Sequence, residues 1–412
     1  MRIITLLLFV ALAACSDSDD PPAQTSNNPG ADAGVDAAPD AAADAGDDAA
    51  EDAADQDTGE GPFAQYGCDE TDGLLCAYES DVQLDPAAQL DRLVMGSVPS
   101  VGGREVPVAL WLHPDVGTGK LPVVIWSHGG GYNASAHRNR NDWTRVFASM
   151  GFAVIQIAHI HPTPDQLRAI CQSVGIDDPE ECVDLTLEED SENADGNPFS
   201  SIGVSRPADG SAVMDALPRL STRSMEARDV ELDADAVVIA GWSGGSQTVV
   251  QMAGARRNLS ASLSAYEAAD ERPIAFIAVS PQGPGYSGFY ENESGGSWRD
   301  VRGPMLVITG DGDEKAANDL TGPIRRRAFD GMPDGDKFLL YSRLESRNIG
   351  HGSYNLGVDV EDDTVAVLHT TLSTTAQAFV DWSARGDSEA ETWLENKTSV
   401  AVAGGAAALE SR

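Results

Sequence analysis

Lysine occurs only four times in 412 residues, at Lys120, Lys315, Lys337 and Lys397, and Lys and Arg together number 27 against 66 Asp and Glu. The resulting formal charge of −39 would repel a phosphate backbone, so nucleic acid is excluded as a partner. No stretch approaches the roughly 20 consecutive apolar residues that a membrane-spanning helix needs. The N-terminal run Ile3 to Ala13 is too short, and Asp17, Asp19 and Asp20 follow close behind it. Cysteine is scarce, at five residues, and none are spaced C-x-x-C, so a structural zinc site is excluded. The pair His159-x-His161 lacks a neighbouring H-x-D-H pattern, and Asp311-Gly-Asp313 lacks the glutamate of an EF-hand, so neither reads as a metal site.

The N-terminus reads as an export signal. Met1-Arg2, the apolar run and Leu12-Ala13-Ala14-Cys15 make residues 1–15 a lipoprotein signal peptide whose lipobox would leave Cys15 as the lipidated first residue. An ordinary secretory signal is the alternative. Ser16 after Cys15 favours the outer membrane or cell surface if the cell is Gram-negative. Residues 16–61 are mostly Ala, Asp, Gly and Pro with almost no large apolar side chain, and carry 14 carboxylates between Asp17 and Glu60 and no Lys or Arg. Such a composition cannot offset the entropy of folding and reads as a disordered tether. A random coil of that length reaches roughly 35–40 Å, more with self-repulsion. The four remaining cysteines, Cys68, Cys76, Cys171 and Cys182, read as two disulfides in an exported chain. Three connectivities are open, and sequential pairing is the expected one.

Residues 62–396 suit one large α/β domain, with 397–412 left as a C-terminal tail. Arg92 to Ser97 and Glu105 to Leu112 are expected as paired opening strands around Val101-Gly102-Gly103. Leu121 to Trp126 and Phe152 to Ala158 read as buried strands joined by the amphipathic helix Asp142 to Met150, a right-handed crossover that implies a parallel sheet. The stretch from about 159 to 205 is acidic, with Asp177-Asp178-Pro179-Glu180-Glu181 and Glu188-Glu189-Asp190, and reads as a cap inserted over the sheet. A short helix is expected over Asp209 to Leu217, then strands at Ala236–Ala240, Ile274–Val279, Met305–Thr309 and, last, Phe338–Tyr341. Thr374 to Trp382 closes the domain as a helix with Phe379 and Trp382 toward the core.

The chain is organised around Ala236 to Ala240 running into Gly241-Trp242-Ser243-Gly244-Gly245. A buried strand followed by G-x-S-x-G is a strand–turn–helix device that lifts a serine clear of the sheet, with glycines where backbones crowd. Serine is too weakly acidic to attack an ester unaided and needs a base, an orienting acid and oxyanion donors. Only His351 and His369 follow Ser243. His351 lies in Asn348-Ile349-Gly350-His351-Gly352-Ser353, expected as a glycine-flanked loop after the last strand, and is the expected base, whereas His369, expected just before a helix, reads as structural. The acid should follow the strand Met305–Thr309, where Asp313 is the choice and Asp311 the alternative. Gly244 and the Ser127-His128-Gly129-Gly130-Gly131 loop would supply oxyanion amides, from Gly130 or alternatively Gly131, with His128 stabilising the loop.

These motifs, with Ser280-Pro281-Gln282-Gly283-Pro284-Gly285, stand in an order that resembles the dienelactone hydrolase-like and platelet-activating-factor acetylhydrolase-like α/β-hydrolases, over roughly Arg92 to Leu394. The resemblance implies an α/β-hydrolase fold, a mostly parallel sheet flanked by helices, with Ser243, Asp313 and His351 as the triad and Gly130 and Gly244 as oxyanion donors. It departs from the group in its nucleophile, a serine where true dienelactone hydrolases have cysteine. Trp242 stands where histidine is commoner, a feature of cutinases and polyester hydrolases, and Ser246 replaces a frequent third glycine. The acidic insertion is the chain's own. The expectation is a cofactor-free serine carboxylic-ester hydrolase acting on short-chain or acetylated lipid esters and reaching a membrane through Cys15. Polyester hydrolysis, peptide cleavage and a non-catalytic binding lipoprotein are the alternatives.

Overall fold

The computed structural model describes residues 78, 80–176, 202–259, 263–292, 296–315, 320–344, 349–356, 363–395 and 407–412. Cys15, the tether, Cys68, Cys76, Cys182 and the acidic runs of the insertion lie outside the described residues.

Nine strands form one sheet in the order β1-β2-β4-β3-β5-β6-β7-β8-β9. They are β1 Asp91–Ser100, β2 Arg104–Leu112, β3 Gly119–Ser127, β4 Ala153–Ile157, β5 Val230–Trp242, β6 Ala275–Val279, β7 Met305–Gly310, β8 Lys337–Ser342 and β9 Ala407–Ser411. From β4 through β3, β5, β6, β7 and β8 every pairing is parallel; β1, β2 and β9 add antiparallel edges. Strands β4, β6, β7 and β8 are buried along their whole length. That is why the sequence shows continuous apolar runs there rather than alternation: both faces are covered.

The period of two still sorts side chains between the covered faces. Val124, Trp126, Val238 and Ala240 pack with α1 (Asp142–Ser149), α6 (Asp363–Arg385) and α7 (Ser388–Glu395) through Trp143, Phe147, Phe379 and Trp393. Val123, Ile125, Val237 and Ile239 face the opposite layer of α3 (Ile202–Arg228), α4 (Gly244–Met252) and α5 (Gly322–Asp330), through Val213, Leu217, Val249 and Phe329. Helix α1 starts where the Asn141 side chain accepts from the Thr144 N–H at 2.7 Å. The opening of the insertion is itself a helix, α2 (Pro164–Ser173), started by a Thr163–Gln166 capping box with Pro164 in its first turn. Cys171 on α2 is buried and disulfide-bonded, with its partner outside the described residues.

Three expectations are corrected. The short helix over Asp209–Leu217 is the middle of the 27-residue α3, which runs through Pro207 and Pro218. Proline removes a donor and crowds the preceding turn, but burial of Val204, Val213, Leu217 and Leu220 outweighs that local preference. His369 does not precede a helix; it lies in the second turn of α6. The tail ends in β9, hydrogen-bonded antiparallel to β8, so Phe338–Tyr341 is not the last strand. Leu409 on β9 is 3% exposed within the core. Leu409→Ala is expected to cost about 2–5 kcal/mol by urea unfolding, whereas a cost within about 0.5 kcal/mol, as at an ordinary surface site, would contradict the placement of β9.

Candidate active site

Strand β5 delivers Ser243 into a turn at φ 54°, ψ −114°, a conformation that L-residues rarely adopt. Several contacts hold it there. The Ser243 N–H donates to Val279 O at 2.9 Å, and Ser243 O accepts from the N–H groups of Ser246 and Gln247 and from Ser246 Oγ. The turn also packs backbone on backbone against the loop after β3. A Cβ on Gly245 would stand 1.9 Å from Ser127 O, and one on Gly244 2.2 Å from Gly130 O. The glycines after the serine are therefore a steric requirement.

His351 opens a short helical turn, His351–Asn355, and its N–H donates to Glu314 O. Its Nε2 lies 2.8 Å from Ser243 Oγ and its Nδ1 2.7 Å from Asp313 Oδ1. Asp313 follows β7, turned back by its N–H to Gly310 O at 2.9 Å, and its second carboxylate oxygen accepts from Thr309 Oγ1. A lone pair on Nδ1 would face a carboxylate oxygen at this distance, so Nδ1 carries the proton and Nε2 is left to accept from the serine. Asp313 is fully buried, while the His351 side chain keeps 13% of its surface exposed. The three residues named from the sequence thus form one hydrogen-bonded chain.

The alternatives resolve by contact. Asp311 accepts from Tyr341 Oη at 2.6 Å. His369 bonds through Nε2 to Ser353 O at 2.9 Å and braces the turn that carries His351. His128 donates from Nδ1 to Gly129 O, and burial drives its pKa down to about 2, so it is neutral and stabilises its loop. His159 is fully buried and bonded to Ser127 and Asp209. Among the described residues, no group of three or more His, Cys, Asp or Glu side chains is placed to hold a metal ion.

The Ser127–Gly131 loop and the start of α4 bring the Gly130 and Gly244 positions together, as the contact at Gly244 shows. Among the described residues, neither amide is bonded to a protein acceptor. Gly130 has φ 70° with open space where a Cβ would project.

Two residues beside this chain are given no part in the site by the sequence. The Trp242 indole stacks on the His351 ring at 4.9 Å between centroids and 28° between planes. The same indole fills the position of a Cβ on Gly129, 2.2 Å away, so that glycine and the tryptophan require one another. Arg325, fully buried on α5, places Nε 3.2 Å from Asp313 Oδ1 and Nη2 3.2 Å from His351 Nδ1, and also donates to Asp313 O, Ser280 O and Pro281 O. Burial lowers its pKa and the Asp313 charge opposes that shift. Arg325 sits in Arg325-Arg326-Arg327, which reads in sequence as a solvated charged face. The useful signal is helical phase: among these arginines only Arg325 falls in the buried set of α5.

Comparison with known proteins adds no relative: no family model matches the chain, and no curated protein matches it. Chemically, the arrangement can take a proton from Ser243 Oγ, hold it on an imidazole between Trp242 and Asp313, and offer two amides to a developing negative charge. Removing Arg325 would leave the Asp313 charge buried without a cation. Arg325→Met is expected to lose about 3–5 kcal/mol in urea unfolding, and a loss below about 1 kcal/mol would show that the pair does not hold the carboxylate in place.

Proposed function

We propose that this chain is a serine carboxylic-ester hydrolase with an α/β-hydrolase fold. The observation that carries the reading is the continuous Ser243–His351–Asp313 chain, at 2.8 and 2.7 Å, on a strained strand-to-helix turn. The chain order Ser, Asp, His and the strand–turn–helix setting of the serine are those of α/β-hydrolases, and the mostly parallel sheet flanked by helices supports it.

In this mechanism Ser243 Oγ attacks the ester carbonyl carbon while its proton passes to His351 Nε2. The carbonyl oxygen becomes an oxyanion and accepts from the Gly130 and Gly244 amides. Collapse of the tetrahedral species breaks the carbon–oxygen bond to the alcohol, which leaves with the proton from His351. Water then enters, loses a proton to the same Nε2, attacks the acyl-enzyme and releases the acid and a regenerated Ser243. Asp313 keeps the Nδ1 proton in place throughout and offsets the imidazolium charge when it forms. No step calls for a cofactor.

The substrates proposed are short-chain or acetylated lipid esters. Peptide cleavage by the same triad is the rival that substrate comparison separates. Ser243→Ala is expected to lower kcat on p-nitrophenyl butyrate by about 10⁴–10⁶-fold, and chromogenic esters are expected to outperform chromogenic peptides. Near-full activity in the variant, or the reverse preference, would contradict the reading. Export with a lipid at Cys15 is proposed from the leader sequence; among the described residues no helix is long and apolar enough to cross a membrane. Labelled palmitate is expected to enter the full chain and not a Cys15→Ser variant, and equal labelling of both would refute anchoring at that residue.

A further inference from the structure

Beneath the loop after β3 lies a second Ser–His–Asp chain. Ser127 Oγ is 3.0 Å from His159 Nε2, and His159 Nδ1 is 2.8 Å from Asp209 Oδ2. Ser127, His159 and Asp209 are 1%, 0% and 0% exposed, so no substrate reaches them. Ser127 Oγ also accepts from Arg206 Nη2 at 3.0 Å, which commits one of its lone pairs and leaves its proton for His159 Nε2. Asp209 ends the series, accepting from Ser100 Oγ at 2.6 Å and from Arg104. The direction of donation runs from Arg206 through Ser127 and His159 to Asp209.

The protonation states agree with that direction. Burial, with Arg206 and Arg104 nearby, holds His159 well below its usual value, so it is neutral. Burial lowers Arg206 to about 10 and raises Asp209 to about 6, which leaves both charged at neutral pH. A neutral imidazole has one donor and one acceptor nitrogen, and each is used once here.

The other hydrogen bonds of Arg206 show what the series holds. Nη1 donates to Gly130 O at 2.6 Å and to Gly131 O at 3.2 Å, and Nη2 donates to His128 O. Gly129 O is taken by His128 Nδ1 at 2.8 Å. In a trans peptide the C=O and the following N–H point in opposite directions. Holding the carbonyls of His128, Gly129, Gly130 and Gly131 therefore aims the amides of Gly129, Gly130, Gly131 and Tyr132. Three consecutive glycines have no side chains to fix these planes and the widest backbone freedom of any residue. The planar guanidinium supplies the missing constraint, with fork geometry that a lysine ammonium cannot match.

We propose that Arg206, seated by the buried Ser127–His159–Asp209–Arg104 series, is the positioning residue that aims the oxyanion amides of the Gly129–Gly131 loop. This rests on the hydrolase reading, because an aimed amide matters only if an oxyanion forms there. Arg206 touches no reacting atom; it acts through the loop.

The test is a set of variants, Arg206→Lys, Arg206→Met and Ser127→Ala, assayed on p-nitrophenyl butyrate and with a short alkyl boronic acid as a tetrahedral mimic. For Arg206→Met the expected outcome is a fall in kcat of about 10²–10³-fold, with KM within a few-fold and boronate binding weakened far more than KM. Arg206→Lys and Ser127→Ala are expected to fall between that variant and the parent. A merely structural role would reduce the fraction of active molecules and leave boronate affinity unchanged in those that remain, and that result would overturn the proposal. If Arg206→Met does not fold, Ser127→Ala carries the test. Backbone order parameters of the Gly129–Tyr132 amides from 15N relaxation separate the two readings: they are expected to fall in Ser127→Ala, and values equal to the parent's would overturn the positioning claim. A folded parent that hydrolyses no ester, beside a Ser127→Ala variant that loosens the loop in this way, would contradict the hydrolase reading and leave the loop assignment standing.

Discussion

Ser243 at φ 54°, ψ −114° is the constraint on which the remainder of the site depends. Such a conformation costs about 1–3 kcal/mol and persists only where its surroundings over-determine it. Here β5 and β6 fix the strand side through the Ser243 N–H to Val279 O bond, and α4 fixes the helix side through the two amides and the hydroxyl that reach Ser243 O. The loop after β3 then packs on the turn so closely that Gly244 and Gly245 leave no room for a Cβ. Ser243 and the Ser127–Gly131 loop are thereby fixed to one another by backbone contact. A displacement of either moves both.

Charge within the fold follows a different rule from charge on its surface. A chain with formal charge −39 nevertheless buries Arg104, Arg206, Arg257 and Arg325 completely. Each guanidinium donates to at least one backbone carbonyl as well as, or in place of, a carboxylate. Arg325 ties Asp313 to the loop after β6, and Arg206 ties the Gly129–Gly131 loop to α3. The desolvation cost of a buried cation is high unless several good acceptors meet it, and loops at the ends of parallel strands offer such acceptors. The site is thus held from below by arginines and closed at the side by the Trp242 indole on His351.

What could be read from the sequence was local. The buried strand before G-x-S-x-G, the carboxylate after β7 and the glycine-flanked His351 each advertise themselves within a few residues, and the structure brings all three within hydrogen-bond distance. The parallel core strands were equally legible, because runs such as Met305–Gly310 are apolar throughout. Arg206 was not, since it acts on Gly130 across 76 positions, and nothing near it in sequence marks an arginine that turns inward. The full length of α3 was hidden by two prolines whose local penalty is outweighed by burial. Strand β9 was hidden because Ala407-Ala408-Leu409-Glu410-Ser411 is too short and alanine-rich to look like a strand until β8 offers it a free edge. Local chemistry was therefore visible, and the supports that act over long sequence separations were not.

The most direct measurement of the central claim is to quench the purified protein within the first turnover of p-nitrophenyl acetate and map the acetylated peptide by mass spectrometry. An activated Ser243 that works through an acyl-enzyme predicts one acetyl group per molecule on Ser243, appearing with a burst of p-nitrophenol and absent from the His351→Ala variant. Steady release of p-nitrophenol with no acetyl on Ser243, or equal acetylation without His351, would contradict the account.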